Sequence, residues 1–374
     1  MINYRPTWAE VSMKALGNNV KAFQKHIDKN CELMAVVKAD AYGHGLLECA
    51  EVMIEAGAER LGVAIIEEAL ELRKAGITLP ILVFGYTPKE AVPDAIDHDI
   101  TLTVFTEEVL EKVNQEADQR ESSMNIHIKV DSGMHRIGLK KAEDIIQLLE
   151  QNASPFVHVE GIFTHFSDAD NEDSAYTEQQ FDHFLSVVED VEKAHGTIPT
   201  KHCCNSAATI NFPHMHMDMV RVGISLYGLY PADYMRESIS LHQVMRLKTK
   251  PVMVKTVHPG EPISYGRSYE PAEPIQVATV PIGYGDGLPR SLSNQGNVVV
   301  HGKRAPIVGK VCMDQTMVDI TAVGETGEET EYTFFGERTE GHIPLQEIAD
   351  QLNTIHYEIT CQIGSRVPRK YVYK

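Results

Sequence analysis

Lys38 is the residue with the clearest capacity for chemistry in this sequence. It ends the apolar, β-branched run 33–37, the pattern of a strand buried on both faces. Ala39-Asp40-Ala41-Tyr42-Gly43-His44-Gly45 follows as a glycine-bearing turn, and a helical pattern begins at Leu46. A strand-end lysine ordinarily packs its stem and sends its ammonium to water. Here Tyr42 and His44 bring hydrogen-bonding side chains, and the glycines allow close backbone approach. A lysine made nucleophilic by burial in such a setting has what a Schiff base requires.

Other polar residues end strand-like runs in the same way: Lys129 leading to Arg136, His165, Asn205-Ser206, and Arg221. Asn205-Ser206 reads as a helix N-cap with backbone N–H groups directed outward, and Gly223-Ile224 can bring backbone close to an anion. An ordinary cap and an ordinary turn are the alternatives. A phosphate held there, opposite a Schiff-base lysine, would be that of pyridoxal phosphate. Arg221 stays protonated under all useful conditions, so facing a pyridine nitrogen it would keep that nitrogen unprotonated. Arg136, in Asp131-Ser132-Gly133-Met134-His135-Arg136, suits bidentate recognition of a carboxylate, with a structural turn as the alternative. His165 can hydrogen-bond toward Arg221. His214 and His216 lack ligand-like companions and read as turn residues, so no metal site is expected.

The elements that must position these groups alternate. A first strand at 7–11 precedes an amphipathic helix carrying Leu16, Val20 and Phe23 on one face. Strand patterns then fall at 33–37, 61–64, 81–84, 100–104, 126–130, 157–163, 202–204 and 219–222, separated by helical stretches such as 67–74, 106–117, 142–149 and 175–194. Eight strands with intervening helices predict an α/β fold with an N-terminal (β/α)8 TIM-like barrel, whose chemistry sits at the carboxyl ends of its strands. No GxGxxG turn supports an open doubly wound sheet. From about His242 short strands and Gly/Pro turns dominate, at 250–257, 275–281, 297–301, 307–311, 316–320 and 332–335, with helices at 345–352 and 356–362. The expected domains are therefore 1–241, the barrel, and 242–374, mostly β. The strand at 7–11 is open to pairing with the second domain.

At 374 residues, with 43% hydrophobic and 23% charged residues, the chain has the composition of a soluble globular protein. A net charge of −19 without a basic stripe argues against nucleic acid and anionic membranes as partners. Six cysteines without CxxC or zinc-type spacing read as buried free thiols in a reducing compartment. With no apolar signal region and no bilayer-length run, the expected location is cytoplasmic.

Several stretches together resemble the alanine racemase family: 35–45, 131–138, 264–269, 281–287, Val311-Cys312-Met313-Asp314, and Tyr357-Glu358-Ile359 through Arg366-Val367-Pro368-Arg369. The likeness runs from about Tyr4 to Tyr371. It implies a pyridoxal 5'-phosphate enzyme that interconverts L- and D-alanine for cell-wall peptidoglycan and works as a head-to-tail homodimer with shared active sites. Lys38 would carry the cofactor. Tyr42, Ser206, Gly223, Ile224 and Tyr357 would hold its phosphate and Arg221 its pyridine nitrogen, with Asn205 and His165 also among the cofactor-binding residues. Arg136 would meet the cofactor's phenolic oxygen and the substrate carboxylate. Lys129 matches a position often carbamylated to orient that arginine. Tyr265, as second base, and Met313, through its backbone, would come from the other subunit, with Tyr284, Cys312 and Asp314 in support. Gly364 stands where relatives often have serine, and Phe84 lies at a variable position; neither touches an assigned role.

Two bases on opposite faces are the simplest route to racemisation, Lys38 on the D-alanine side and Tyr265 on the L-alanine side. A racemase for serine or other small amino acids is the nearest rival. A related decarboxylase would need a catalytic cysteine and a glycine-rich phosphate loop that are not found. A non-catalytic carrier of the cofactor is the rival of a different class, and it would have no use for Tyr265.

Overall fold

The computed structural model describes residues 4–336 and 341–373. The chain forms two compact units. One comprises Leu16–Ala41 with Leu46–Leu241; the other comprises the N-terminal segment through Ala15, the short stretch Tyr42–Gly45, and the chain from His242 onward.

The first unit is built on eight parallel strands: Glu32–Val36, Arg60–Val63, Ile81–Val83, Thr101–Val104, Met124–Lys129, Val157–Phe163, Thr200–His202 and Met219–Val222. Each pairs with the next, and the last returns to the first, with Leu33 opposite Val220 and Ala35 opposite Val222. Between the seventh and eighth strands the ring is completed by backbone bonds from Asp218 N–H to Lys201 O (3.1 Å) and from Arg221 N–H to Cys204 O (3.0 Å). The result is a nearly closed TIM-like barrel. Outside the first half of Val157–Phe163, where His158 is exposed, its strands are almost wholly buried on both faces, which is why they read as apolar runs. The covering helices bury one stripe each. In Ala175–His195 that stripe is Phe181, Phe184, Val188 and Val191, and Lys193 and His195 in the last turn suit the negative helix end.

The second unit is rich in sheet. A six-stranded sheet runs Lys303–Pro306, Asn297–Val300, Tyr332–Phe335, Met245–Thr249, Thr7–Ser12, Arg369–Val372. Thr7–Ser12 lies antiparallel to Met245–Thr249 and parallel to Arg369–Val372. A three-stranded sheet joins Met253–Val257, Ile275–Val280 and Thr316–Asp319, leaving Val252, Met253 and Val254 exposed at its edge.

Four sequence expectations need correction. The run 307–311 is not a strand: the strand is Lys303–Pro306, and beyond it Ile307 makes a single bridge to Val318 before Gly309, at φ 77°, turns the chain. The run 250–257 starts only at Met253, because Pro251 cannot donate to a ladder. The seventh barrel strand is Thr200–His202, which leaves Cys203 and Cys204 in the loop after it. All six cysteines are free and four are buried, but Cys312 is half-buried and Cys361 exposed, against the expectation for buried thiols.

Candidate active site

Lys38 follows the first barrel strand directly, half-buried, at the carboxyl end where barrel chemistry is expected. The turn after it differs from an ordinary glycine loop. Ala39, Asp40, Ala41 and Tyr42 all have φ of 53–54°, and Gly43 has 82°, so five consecutive residues wind left-handed. For residues with a Cβ this conformation costs roughly 1–2 kcal/mol each. Specific bonds hold it. The Ala39 N–H donates to Glu68 Oε1 (2.6 Å), Ala41 N–H to Val37 O (2.9 Å), and Asp40 Oδ1 accepts from Leu46 N–H (2.8 Å), starting the helix Leu46–Glu55. Gly43 is required by space as well as by φ, since a Cβ there would lie 2.1 Å from Thr360 O. Tyr42 packs its ring 6.2 Å from that of Tyr357.

The other strand-end groups of the barrel converge. The His165 imidazole is held well below its ordinary pKa by burial and then by the positive charges of Arg221, Lys129, Arg136 and Lys38. Five residues from four strand ends therefore share one field. Arg221 is 4% exposed. It donates from Nη1 to His202 Nδ1 (2.8 Å) and from Nη2 to Thr164 O (2.9 Å), Cys203 O (3.1 Å) and His165 Nδ1 (3.1 Å). Burial lowers its pKa to about 10, still well above neutrality. Its Nε–H has no acceptor among the described residues.

Lys129 is also 4% exposed. Its ammonium donates to Val130 O (2.7 Å) and lies 5.1 Å from the centre of the Phe163 ring. Burial, then Arg221, bring its pKa down to about 7, Arg136 adding to the shift and Asp131 opposing it. A substantial unprotonated fraction is therefore present at neutral pH. Arg136 is exposed and makes no hydrogen bond or ion pair among the described residues.

Asn205 caps the short helix Ser206–Asn211, its Oδ1 accepting from Ala208 N–H (3.0 Å). Ser206 is buried, and its Oγ accepts from Gly223 N–H (2.9 Å), which ties the loops after the seventh and eighth strands together. Among the described residues the N–H groups of Ser206 and Ile224 and the Ser206 hydroxyl proton have no acceptor. That is the donor set an anion would complete.

The second unit carries the remaining candidates. Tyr265 is 73% exposed, on a tight turn whose neighbours Ser264, Gly266 and Arg267 have φ of 66°, 71° and 49°. Ser264 Oγ donates to Lys310 O (2.8 Å), which anchors the turn. Met313, 52% exposed, shares a loop with Cys312 and Asp314. Cys312 O accepts from Tyr284 N–H (3.0 Å) and Met313 O from Gly285 N–H (2.9 Å). Arg366 donates to Asp314 Oδ1 (2.6 Å). Gly283 permits the approach, because a Cβ there would lie 2.1 Å from Cys312 O.

Sequence reasoning missed the residues behind Arg221. His202 stacks on Phe163 with ring centres 4.7 Å apart and planes at 5°. Beyond it lie His127, Glu160, Arg60 and Glu32, all within the barrel unit. His214 and His216 sit at a short turn, His216 Nε2 bonded to Thr209 O (2.9 Å) and His214 near Glu178.

Residues 11–231 match the family described as alanine racemase, N-terminal domain, and residues 244–371 the alanine racemase, C-terminal domain. Alanine racemase 1 of Oceanobacillus iheyensis is 54% identical over 99% of both chains. The alanine racemase of Bacillus anthracis, solved with bound L-Ala-P, is similar at a TM-score of 0.94 and 39% identity, covering 100% of this chain and 96% of that one. A histidine racemase of Leuconostoc mesenteroides superposes at a TM-score of 0.90 and 29% identity, over 99% of both.

Proposed function

This chain belongs to the alanine racemase family, and from that premise we propose that it interconverts L- and D-alanine with pyridoxal 5'-phosphate, in a homodimer whose sites are shared. The D-alanine it makes would serve cell-wall peptidoglycan, and the enzyme would work in the cytoplasm. Among the described residues no helix is long and apolar enough to cross a membrane.

The residues fit the cofactor chemically. Lys38 would hold it covalently. The Ser206 N–H and hydroxyl and the Ile224 N–H would donate to its phosphate, Gly223 orienting the Ser206 oxygen through its own N–H, with Tyr42 and Tyr357 as further donors and Asn205 fixing the cap. When bound, the group supplies an electron-withdrawing system that acidifies the substrate's α C–H. The observation that carries the proposal is the Arg221 Nε–H, a donor without an acceptor on a buried, permanently charged group. Facing a ring nitrogen it donates without giving up its proton. It therefore restrains electron withdrawal, which suits reversible removal of one proton better than chemistry needing a fuller electron sink.

Lys38 would take or return the α-proton on the D-alanine face, and Tyr265 from the second copy would do so on the L-alanine face. Ionising a phenol in water at pH 7 costs about 4 kcal/mol. His165 offsets part of that cost: its Nδ1 accepts from Arg221, so its proton sits on Nε2, free to donate toward a phenolate. Arg136 would bind the substrate carboxylate and the cofactor's phenolic oxygen, aided by the Met313 N–H of the second copy. Tyr284, Cys312 and Asp314 support that loop. Lys129, partly neutral at pH 7, can accept CO2 as a carbamate and so become an acceptor for Arg136.

The test is borohydride reduction followed by peptide mass analysis, together with racemisation assays on alanine, serine and histidine. The cofactor's mass on the Lys38 peptide and preference for alanine are expected. An unmodified Lys38 would overturn the cofactor assignment, and a preference for serine or histidine would overturn the substrate.

A further inference from the structure

TIM-like barrels usually fill their interior with layers of branched apolar side chains. This one runs a polar chain through the middle instead. Arg221 Nη1 lies 2.8 Å from His202 Nδ1, His202 Nε2 lies 2.8 Å from His127 Nδ1, and His127 Nε2 lies 2.9 Å from Glu160 Oε2. The same carboxylate oxygen accepts from Arg60 (2.8 Å), and Arg60 Nε donates to Glu32 (2.6 Å). Six of the eight strands contribute one member each.

The two ends fix the direction of every bond between them. A guanidinium can only donate and an ionised carboxylate can only accept. His202 must therefore present a lone pair at Nδ1 and carry its proton on Nε2. His127 must then accept at Nδ1 and donate from Nε2 to Glu160. No other assignment of protons satisfies both contacts with neutral rings. Burial holds both imidazoles below their ordinary pKa. Burial also works against the Glu160 charge, but the bonds from His127 and Arg60 overcome it and bring that carboxyl to about 2. Around Arg221 the other titratable or charged groups are Lys129, His165, Cys203 and Cys204. Among the described residues none is a carboxylate in direct contact with it.

We propose that Glu160 is a positioning residue for Arg221: through His127 and His202 it locks both imidazoles in the Nε2–H tautomer and delivers the counter-charge that a buried guanidinium needs. The Nε–H of Arg221 is thereby held at one orientation and one donor strength. With glutamine at position 160, the amide oxygen can take the place of the one oxygen that accepts from both Arg60 and His127, so the tautomers persist while the counter-charge is lost.

Histidine-selective 15N NMR of the holoenzyme and of cofactor-free protein reads the tautomers directly. Wild type should show His127 and His202 as neutral Nε2–H rings that do not titrate near neutral pH. E160Q should keep both tautomers but lose the counter-charge, with kcat falling about tenfold or more while KM changes little. E160D should keep the tautomers and most of the turnover. A wild-type His202 protonated on Nδ1 overturns the proposal, whether or not E160Q folds. So does an E160Q enzyme that keeps full turnover, because the counter-charge would then be idle. The effect on turnover rests on Arg221 serving the cofactor's ring nitrogen, whereas the tautomers do not. An enzyme inactive toward alanine with the tautomers as stated would refute the function and leave the relay standing.

Discussion

Arg221 Nη2 donates to His165 Nδ1 at 3.1 Å, so the His165 imidazole can carry its one proton only on Nε2, away from the guanidinium. Burial and the surrounding cations keep the ring neutral. The result is a donor with fixed direction that can stabilise a phenolate without holding a full charge of its own.

Arg221→Lys should be costly even though the charge is kept. A lysine cannot reproduce the fork that bonds His202, His165 and the carbonyls of Thr164 and Cys203 at once. At least one buried carbonyl would lose its partner. A stability loss of about 2–4 kcal/mol is expected in denaturant melts. A loss under about 0.5 kcal/mol would mean that the barrel readily supplies other donors.

The left-handed turn gives a pair of opposite effects. Ala39→Gly relieves backbone strain at φ 54° and should stabilise by roughly 0.5–1 kcal/mol after the unfolded-state entropy is counted. Gly43→Ala drives a Cβ to 2.1 Å from Thr360 O and should destabilise by roughly 2–4 kcal/mol, with weaker cofactor retention because Tyr42 precedes it. Thermal melts with cofactor absorbance check both. Two shifts of the same sign would contradict the strain.

Lys129 makes stability depend on alkaline pH. Its folded pKa of about 7 lies below the usual 10.5, so between those values the unfolded chain holds a proton that the folded chain does not. Stability from this group should rise with pH across that window, by up to about 1.4 kcal/mol per unit. In CO2-free buffer, denaturant unfolding at several pH values should show this rise in wild type and lose it in Lys129→Met. The buried histidines act lower: their depressed pKa values make stability fall as pH drops below about 6.5.

The same unprotonated amine should bind CO2. 13C NMR with labelled bicarbonate should show a carbamate signal that is absent from Lys129→Met. No signal in wild type would remove the carbamate from the site.

Much of this was legible in the sequence because parallel barrel strands announce themselves as short apolar runs separated by amphipathic helices. Lys38, His165 and Asn205, which follow those runs, and Arg221, set among the apolar residues of the last one, were legible for the same reason. His127, Glu160 and His202 were not, since each is a polar residue inside a strand and reads as an interruption. The available signal was the alternation of Asn125, His127 and Lys129 with apolar neighbours, which places polar side chains on one face of their strand. The left-handed turn left no trace, because alanine, aspartate and tyrosine do not favour positive φ. Bonds to Glu68 and Leu46, remote in sequence or beyond the turn, impose it.

The most direct test of two bases on opposite faces is α-deuterium uptake in heavy water, followed separately from each enantiomer. Tyr265→Phe should cut exchange from L-alanine by a factor of about a hundred or more while D-alanine still exchanges through Lys38. Equal loss from both enantiomers, or undiminished exchange from L-alanine, would contradict the assignment.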